Sequence, residues 1–324
     1  DGTGNDFNVV ASGLTSEATA NANEVVGNEN RFEVEASALS ADASADSNVV
    51  VGVDNTFDVT ASGINAVAAA DGNAIVGDPN IFDVTASGAT SEATANNNEV
   101  EGNDNVFDVD ATALSADASA DGNAVSGNEN TLAVTASNVN AVASADSNDV
   151  EGSRNVFDVD ASGPTSEATA NANEVVGNDN ALTVEATALS ADASANNNDV
   201  TGNGNSLFVS AQNTVAVASA DNNSLDGTGN ELIVIASGLT SEATANANEV
   251  AGNDNLVNVT ASALSADASA DDNAVRGNDN TLDVTASNTL AVASADDNAI
   301  DGTGNAFDVD ASGPTSEATA NANE

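Results

Sequence analysis

Hydrophobic side chains return along this chain in pairs of short alternating runs. From Asn30, the residues Asn30, Phe32, Val34 and Ala36 alternate with Arg31, Glu33 and Glu35. A period of two predicts a strand with one buried face. Ser37-Ala38-Leu39 then predicts a turn, because the equivalent of Ala38 is Gly, Ala or Asn in every copy (Gly13, Ala38, Asn138). These residues are small, and Gly and Asn accept positive φ. A second alternation follows, with Ala41, Ala43 and Ala45 inward and Asp42, Ser44 and Asp46 outward. Alanine favours helices in isolation, but a 3.6-residue period does not fit this spacing. Asn48 and Val50 then carry the chain through a corner to Gly52 and Asn55, where Gly-x-x-Asn predicts a tight turn.

This pattern recurs with a period of 25 residues, thirteen times, without insertion or deletion. Gly recurs from Gly2 to Gly302, Asn from Asn5 to Asn305 and from Asn23 to Asn323, and Val from Val9 to Val309. Strict phase means that each unit lies on the one before, since an extra residue would disturb a stack. The expected fold is all-β: a single β-solenoid of thirteen 25-residue coils, each strand–turn–strand. It forms one continuous domain over 1–324 without separate caps, and at the strand spacing of a sheet it makes a rod of roughly 60 Å. The residues expected to hold it together are Asn5, Asn30, Asn55 and Asn80 in one amide ladder and Asn23, Asn48 and Asn73 in another. Gly27, Gly52 and Gly77 serve at the turns, and Phe32, Val34, Ala43 and Ala45 fill a thin core. A buried amide without partners costs several kcal/mol, and a ladder supplies a partner in each successive coil.

A second period lies inside the first. Coils come in three types repeating every 75 residues, marked by Thr15-Ser16-Glu17, Ser40-Ala41-Asp42 and Asn65-Ala66-Val67. Only outward residues obey it. Stacking sets Glu17 under Asp42, and Val67 interrupts the column before Glu92. Like charges about 4.8 Å apart repel by roughly 1 kcal/mol in water, so an uncharged third coil relieves the column. Duplication of a three-coil block explains the same order.

Composition narrows the function. The chain has no Cys, His, Lys, Met, Trp or Tyr, and its three cations, Arg31, Arg154 and Arg276, stand against 52 acids, for a net charge of −49. These absences exclude a Ser-His-Asp triad, a thiol nucleophile, a Schiff-base lysine and imidazole or thiolate metal sites. No enzymatic activity and no cofactor are expected. Nucleic acid and anionic membrane surfaces are disfavoured as partners, because phosphate is repelled. No apolar run reaches membrane-spanning length, no signal peptide is evident, and the start at Asp1 suggests a processed product or a segment of something longer. Carboxylates at Glu17, Asp42, Glu92 and Asp117 offer oxygen ligands to Ca²⁺ or other counter-ions. The spacing favours diffuse screening over defined sites, since the nine-residue period of Gly-Asp calcium repeats is missing.

The pattern Gly27, Asn30, Phe32, Val34, followed by a second alternating strand containing the Ser16, Ala18 and Ala20 type, resembles the repeat of curli-type amyloid subunits. It does so along the whole chain. The resemblance implies strand–turn–strand layers stacked into an extracellular biofilm fibre. This chain departs from that family in its longer repeat and in having Ala where the family carries inward glutamines; its one Gln is Gln212. Large bacterial repeat adhesins are related by architecture.

The expected function is therefore structural: a secreted subunit or segment of an extracellular or cell-surface fibre. Its partner is itself, through head-to-tail stacking and lateral bundling. The alternatives are an adhesin stalk and an ice-binding solenoid. For ice binding, Thr60, Thr85 and Thr260 suggest an array that Glu35, Asp110 and Asp160 interrupt. Phe208, Ile233 and Ile235 stand at outward positions and offer a small lateral patch.

Overall fold

A computed structural model describes residues 2–321, divided into two compact units between Gly163 and Pro164. The Asn323 end of the second asparagine series and Asp1 lie outside the described residues. Each unit is a β-solenoid of parallel strands, and the described residues contain no helix.

The first unit shows how one coil is built. In Arg31–Ser44, the side chains of Phe32, Val34 and Ala36 are buried and those between them face outward. Past the corner the parity changes, and Ala41, Ala43 and Ala45 are the buried set. The turn expected at Ser37-Ala38-Leu39 is thus present as a switch of face, but it does not interrupt the sheet. Pairing between Asp6–Thr19 and Arg31–Ser44 runs from Asp6↔Arg31 to Thr19↔Ser44 and includes Gly13↔Ala38 within the corner. The neighbouring coil therefore carries the ladder up to the crest residue Leu14 and resumes it at Thr15↔Ser40. At Asn138, with φ of 119°, the strand does divide, into Thr131–Ser137 and Asn140–Asp146, whereas Ser206–Ser219 runs unbroken through Asn213.

The Val50 region corrects the strand–turn–strand expectation. It is a third strand, Val49–Val51, rather than a corner. Val50 is buried between outward neighbours, and the strand pairs in parallel with Glu24–Val26 on one side and Ala74–Val76 on the other. Each complete coil in this unit therefore presents three outward faces.

Strand pairing in both units joins a residue to its equivalent 25 positions away, as in Val34↔Val59 of the first unit and Val209↔Val234 of the second. Identical side chains accordingly stack on one another. Phe7, Phe32, Phe57, Phe82 and Phe107 form one column with ring centroids 4.8, 4.7, 4.9 and 4.5 Å apart. The spacing is that of strands in a sheet, so the backbone sets the distance and the rings take it up by stacking or tilting. Gly52 shows how close coils come at the turn: its φ is +141°, and a Cβ there would lie 1.8 Å from the Gly27 carbonyl oxygen. Gly27 and Gly77 meet the same two constraints.

The two asparagine series are bonded differently. Asn23, Asn48 and Asn73 form an amide ladder: Nδ2 of Asn23 donates to Oδ1 of Asn48 at 2.9 Å, and Nδ2 of Asn48 to Oδ1 of Asn73 at 3.0 Å. Nδ2 of Asn48 also donates to the Ala20 carbonyl. In the other series Asn5 donates its amide to the next, Asn30. Beyond it, the side-chain oxygen accepts a backbone N–H, as from Asn30 to Asn55 at 2.9 Å, while Nδ2 of Asn80 donates to the Gly52 carbonyl. This series is a clamp on the glycine turn, not an amide-to-amide ladder. Nδ2 of Asn30, Asn55 and Asn105 has no partner.

Asn98 accepts both the backbone N–H and Nδ2 of Asn73 and donates to the Ala70 carbonyl. Asn98→Ala strands these buried groups, at about 1–3 kcal/mol for each one left unsatisfied. Denaturant titration is expected to show a loss well above that of Asn103→Ala, whose row is exposed. Equal losses would contradict the ladder's role.

Candidate functional site

The candidate functional features are the columns that stacking creates. On the second strand of the first unit, Glu17 pairs with Asp42, Asp42 with Val67, Val67 with Glu92, Glu92 with Asp117, and Asp117 with Val142. The structure thus brings Glu17 to Asp42 and Glu92 to Asp117, and Val67 separates the two pairs. Burial raises the Asp117 carboxyl above its ordinary value. In the second unit Asp192 is raised the same way, with the charge of Glu167 adding to the effect. The described residues hold no group of three acids able to take a metal ion. Two stacked carboxylates facing solvent suit loosely held counter-ions.

The first strand carries a denser acidic column. Asp58, Asp83 and Asp108 stack in register without interruption. The Thr60 hydroxyl donates to Asp58 and the Thr85 hydroxyl to Asp83, both at 2.7 Å. Asp108 has no such hydroxyl beside it, since the residue two further on is Asp110. Burial, then the charges of Asp83 and Asp110, push the Asp108 carboxyl from the ordinary 3.8 up to about 6, against the lowering effect of the Val109 N–H. Asp83 and Asp110 are also raised, chiefly by burial. Of the threonines that suggested an ice-binding array, Thr60 and Thr85 are thus committed to carboxylates and Thr260 donates to the Asn258 amide oxygen at 2.8 Å; Thr285 likewise donates to Asp283 at 3.0 Å.

A further column escaped the sequence reading. Position 21 of the repeat is Asn or Asp in every copy, from Asn21 through Asp46 and Asp71 to Asn321. Its side-chain oxygen accepts the backbone N–H of the next coil, as from Asp46 to Asn21 at 3.0 Å and from Asn96 to Asp71 at 3.0 Å. This staple fixes the chain just before the left-handed residue of each coil, such as Ala22 or Ser47, at φ of 55° and 58°. The signal was available as a position that is always Asn or Asp, but Asp46 read as one more outward charge.

The apolar positions on the outward face of the second unit do meet. Phe208 pairs with Ile233, and Ser210 with Ile235. All three large side chains are half-buried, and Ser210 beside them is buried.

No protein-family model matches the chain, and no curated protein matches it in sequence. Among solved structures it is similar to the crystal structure of the TibC-catalyzed hyper-glycosylated TibA55-350 fragment. The identity is 15%, over 94% of this chain and 99% of that one, with a TM-score of 0.38. A likeness at that level leaves the function of this chain to its own surface chemistry.

Carboxyls raised by folding bind protons more readily in the folded state. Their contribution to stability is complete below the unfolded-state value near ~3.9 and is lost as pH rises through the folded value. For Asp108 that window ends at about 6. The melting temperature followed by circular dichroism is therefore expected to rise from pH 7.5 to pH 4.5, and Asp108→Asn to reduce the rise. A stability maximum at neutral pH with loss by pH 4.5 would contradict this assignment.

Proposed function

We propose that this protein is a structural segment of an extracellular, cell-surface filament, lengthened by laying coil on coil. The observation that carries the reading is the uniform 25-residue register. Because the face that one coil presents matches the face of any other, the contact that joins neighbours within a unit also suits a coil of another copy. Solenoid surfaces with columns of acids and no clustered catalytic chemistry fit a scaffold better than an active site. The lack of Cys, Met, Trp and Tyr removes the most easily oxidised side chains, which suits a long-lived exposed material.

The likeness to curli-type repeats supports stacked layers as the mode of assembly. The inward alanines, such as Ala43 and Ala45, give this interior an apolar filling where that family uses amides. An adhesin stalk is the same reading with the coils in one longer chain. Ice binding is disfavoured, because Thr60, Thr85 and Thr285 spend their hydroxyls on carboxylates.

Electron microscopy of the purified chain in moderate salt is expected to show unbranched filaments many times longer than one chain. Their diffraction should carry an axial reflection near ~4.8 Å. Short particles of one size at every concentration would contradict filament growth.

A further inference from the structure

Between the first and second strands of the first unit runs a corner whose chemistry the fold does not explain. At its crest stand Leu14, Leu39, Ile64, Ala89, Leu114 and Val139, one from each of six successive coils. They are held in line by pairs on either side such as Gly13↔Ala38 and Thr15↔Ser40. Leu39 is 54% exposed, Ile64 52% and Leu114 59%. Isolated exposed leucines are ordinary, but a continuous exposed apolar row marks an interaction surface.

The crest is also free of charge on both sides. In every coil of this unit the four corner residues, as in Ser12-Gly13-Leu14-Thr15, Ser37-Ala38-Leu39-Ser40 and Thr112-Ala113-Leu114-Ser115, lack any ionisable group. The strip keeps this neutrality in a chain carrying 52 acids. The nearest acidic columns, those of Glu35 and Asp110 on one side and Glu17 and Asp42 on the other, begin two residues beyond it, about 7 Å away along the strand. The valines of the third face, Val26, Val49, Val51 and Val76, lack such surroundings, since Glu24, Glu99 and Glu101 lie among them.

We infer that this corner is a lateral seam on which a second copy of the same chain packs, crest against crest. Charge identifies the occupant. A cationic partner would dock on the acidic faces and gain nothing from a neutral strip. A partner that is itself strongly acidic can approach only where neither surface carries charge. Spacing agrees, because a row of side chains about 4.8 Å apart interdigitates best with another row of the same period. The seam is narrow, so a single pair of copies holds weakly and many pairs in parallel hold firmly. It acts sideways and so goes beyond lengthening of the filament.

The chain has no cysteine, which makes disulfide trapping clean. In the full chain, Ile64→Cys is expected to form crosslinked dimers under mild oxidation at least ten-fold faster than Ala124→Cys, an exposed position on the third face. The rate should rise with salt, because screening lets two acidic copies approach. Adding Leu39→Asp and Leu114→Asp to Ile64→Cys should abolish the difference, with an unchanged circular dichroism spectrum.

Equal rates for the two cysteines would overturn the seam. So would a rate that falls with salt, or a chain that stays monomeric while binding zwitterionic vesicles or a lysine-rich peptide. Micrographs of the same samples separate this from filament growth. Single filaments with equal crosslinking rates overturn the seam alone. Selective crosslinking of the Ile64→Cys chain without filaments supports the seam and overturns only the growth reading.

Discussion

The structure depends on backbone hydrogen bonding between coils at the spacing of a parallel sheet. That spacing admits only one register here, because a slip by one residue would turn Phe32, Val34 and Ala36 outward and their acidic neighbours inward. Once the register is fixed, side chains have no further choice of neighbour. Phenylalanines stack at about strand separation, asparagines reach the amide above or a carbonyl below, and glycines sit where a Cβ would strike the next carbonyl. The invariance of the repeat is a consequence of this constraint.

The same constraint gathers charge. Any acid that is repeated in phase meets itself one coil later, and the fold answers in several ways. Valine interrupts the Glu17 column, threonine hydroxyls solvate Asp58 and Asp83, and each arginine bridges to acids of its own or a neighbouring coil, as Arg31 does to Glu33 and Asp58. Asp108, which lacks a hydroxyl and faces two acids, has its carboxyl raised instead. The acidic faces and the neutral corner are thus complementary results of one geometry. The faces keep copies apart, and the corner is where they can meet.

Much of this was legible from residue patterns. Alternation at Phe32, Val34 and Ala36 identified the first strand, and the unbroken phase set Glu17 against Asp42 and Val67 against Glu92. Other features were hidden for physical reasons. Three residues at Val49–Val51 are too few to display a period, so a strand looked like a corner. Asn30 and Asn48 recur identically, and the sequence does not reveal that one side chain bonds to backbone and the other to its own kind. Asp46 was read as an outward residue because an Asp side chain that caps the next coil looks the same as one in solvent. The leucine crest fell in a turn between two alternations, where apolar residues carry no periodic signal until coils are aligned.

The central claim is coil-on-coil stacking at a fixed register, and distance between spin labels tests it most directly. With labels at Glu17→Cys and Val142→Cys, five coils apart in the first unit, pulsed electron resonance should give one narrow peak near ~24 Å, five sheet spacings. A broad distribution centred near ~60 Å, as for a flexible chain of that length, would contradict the stack.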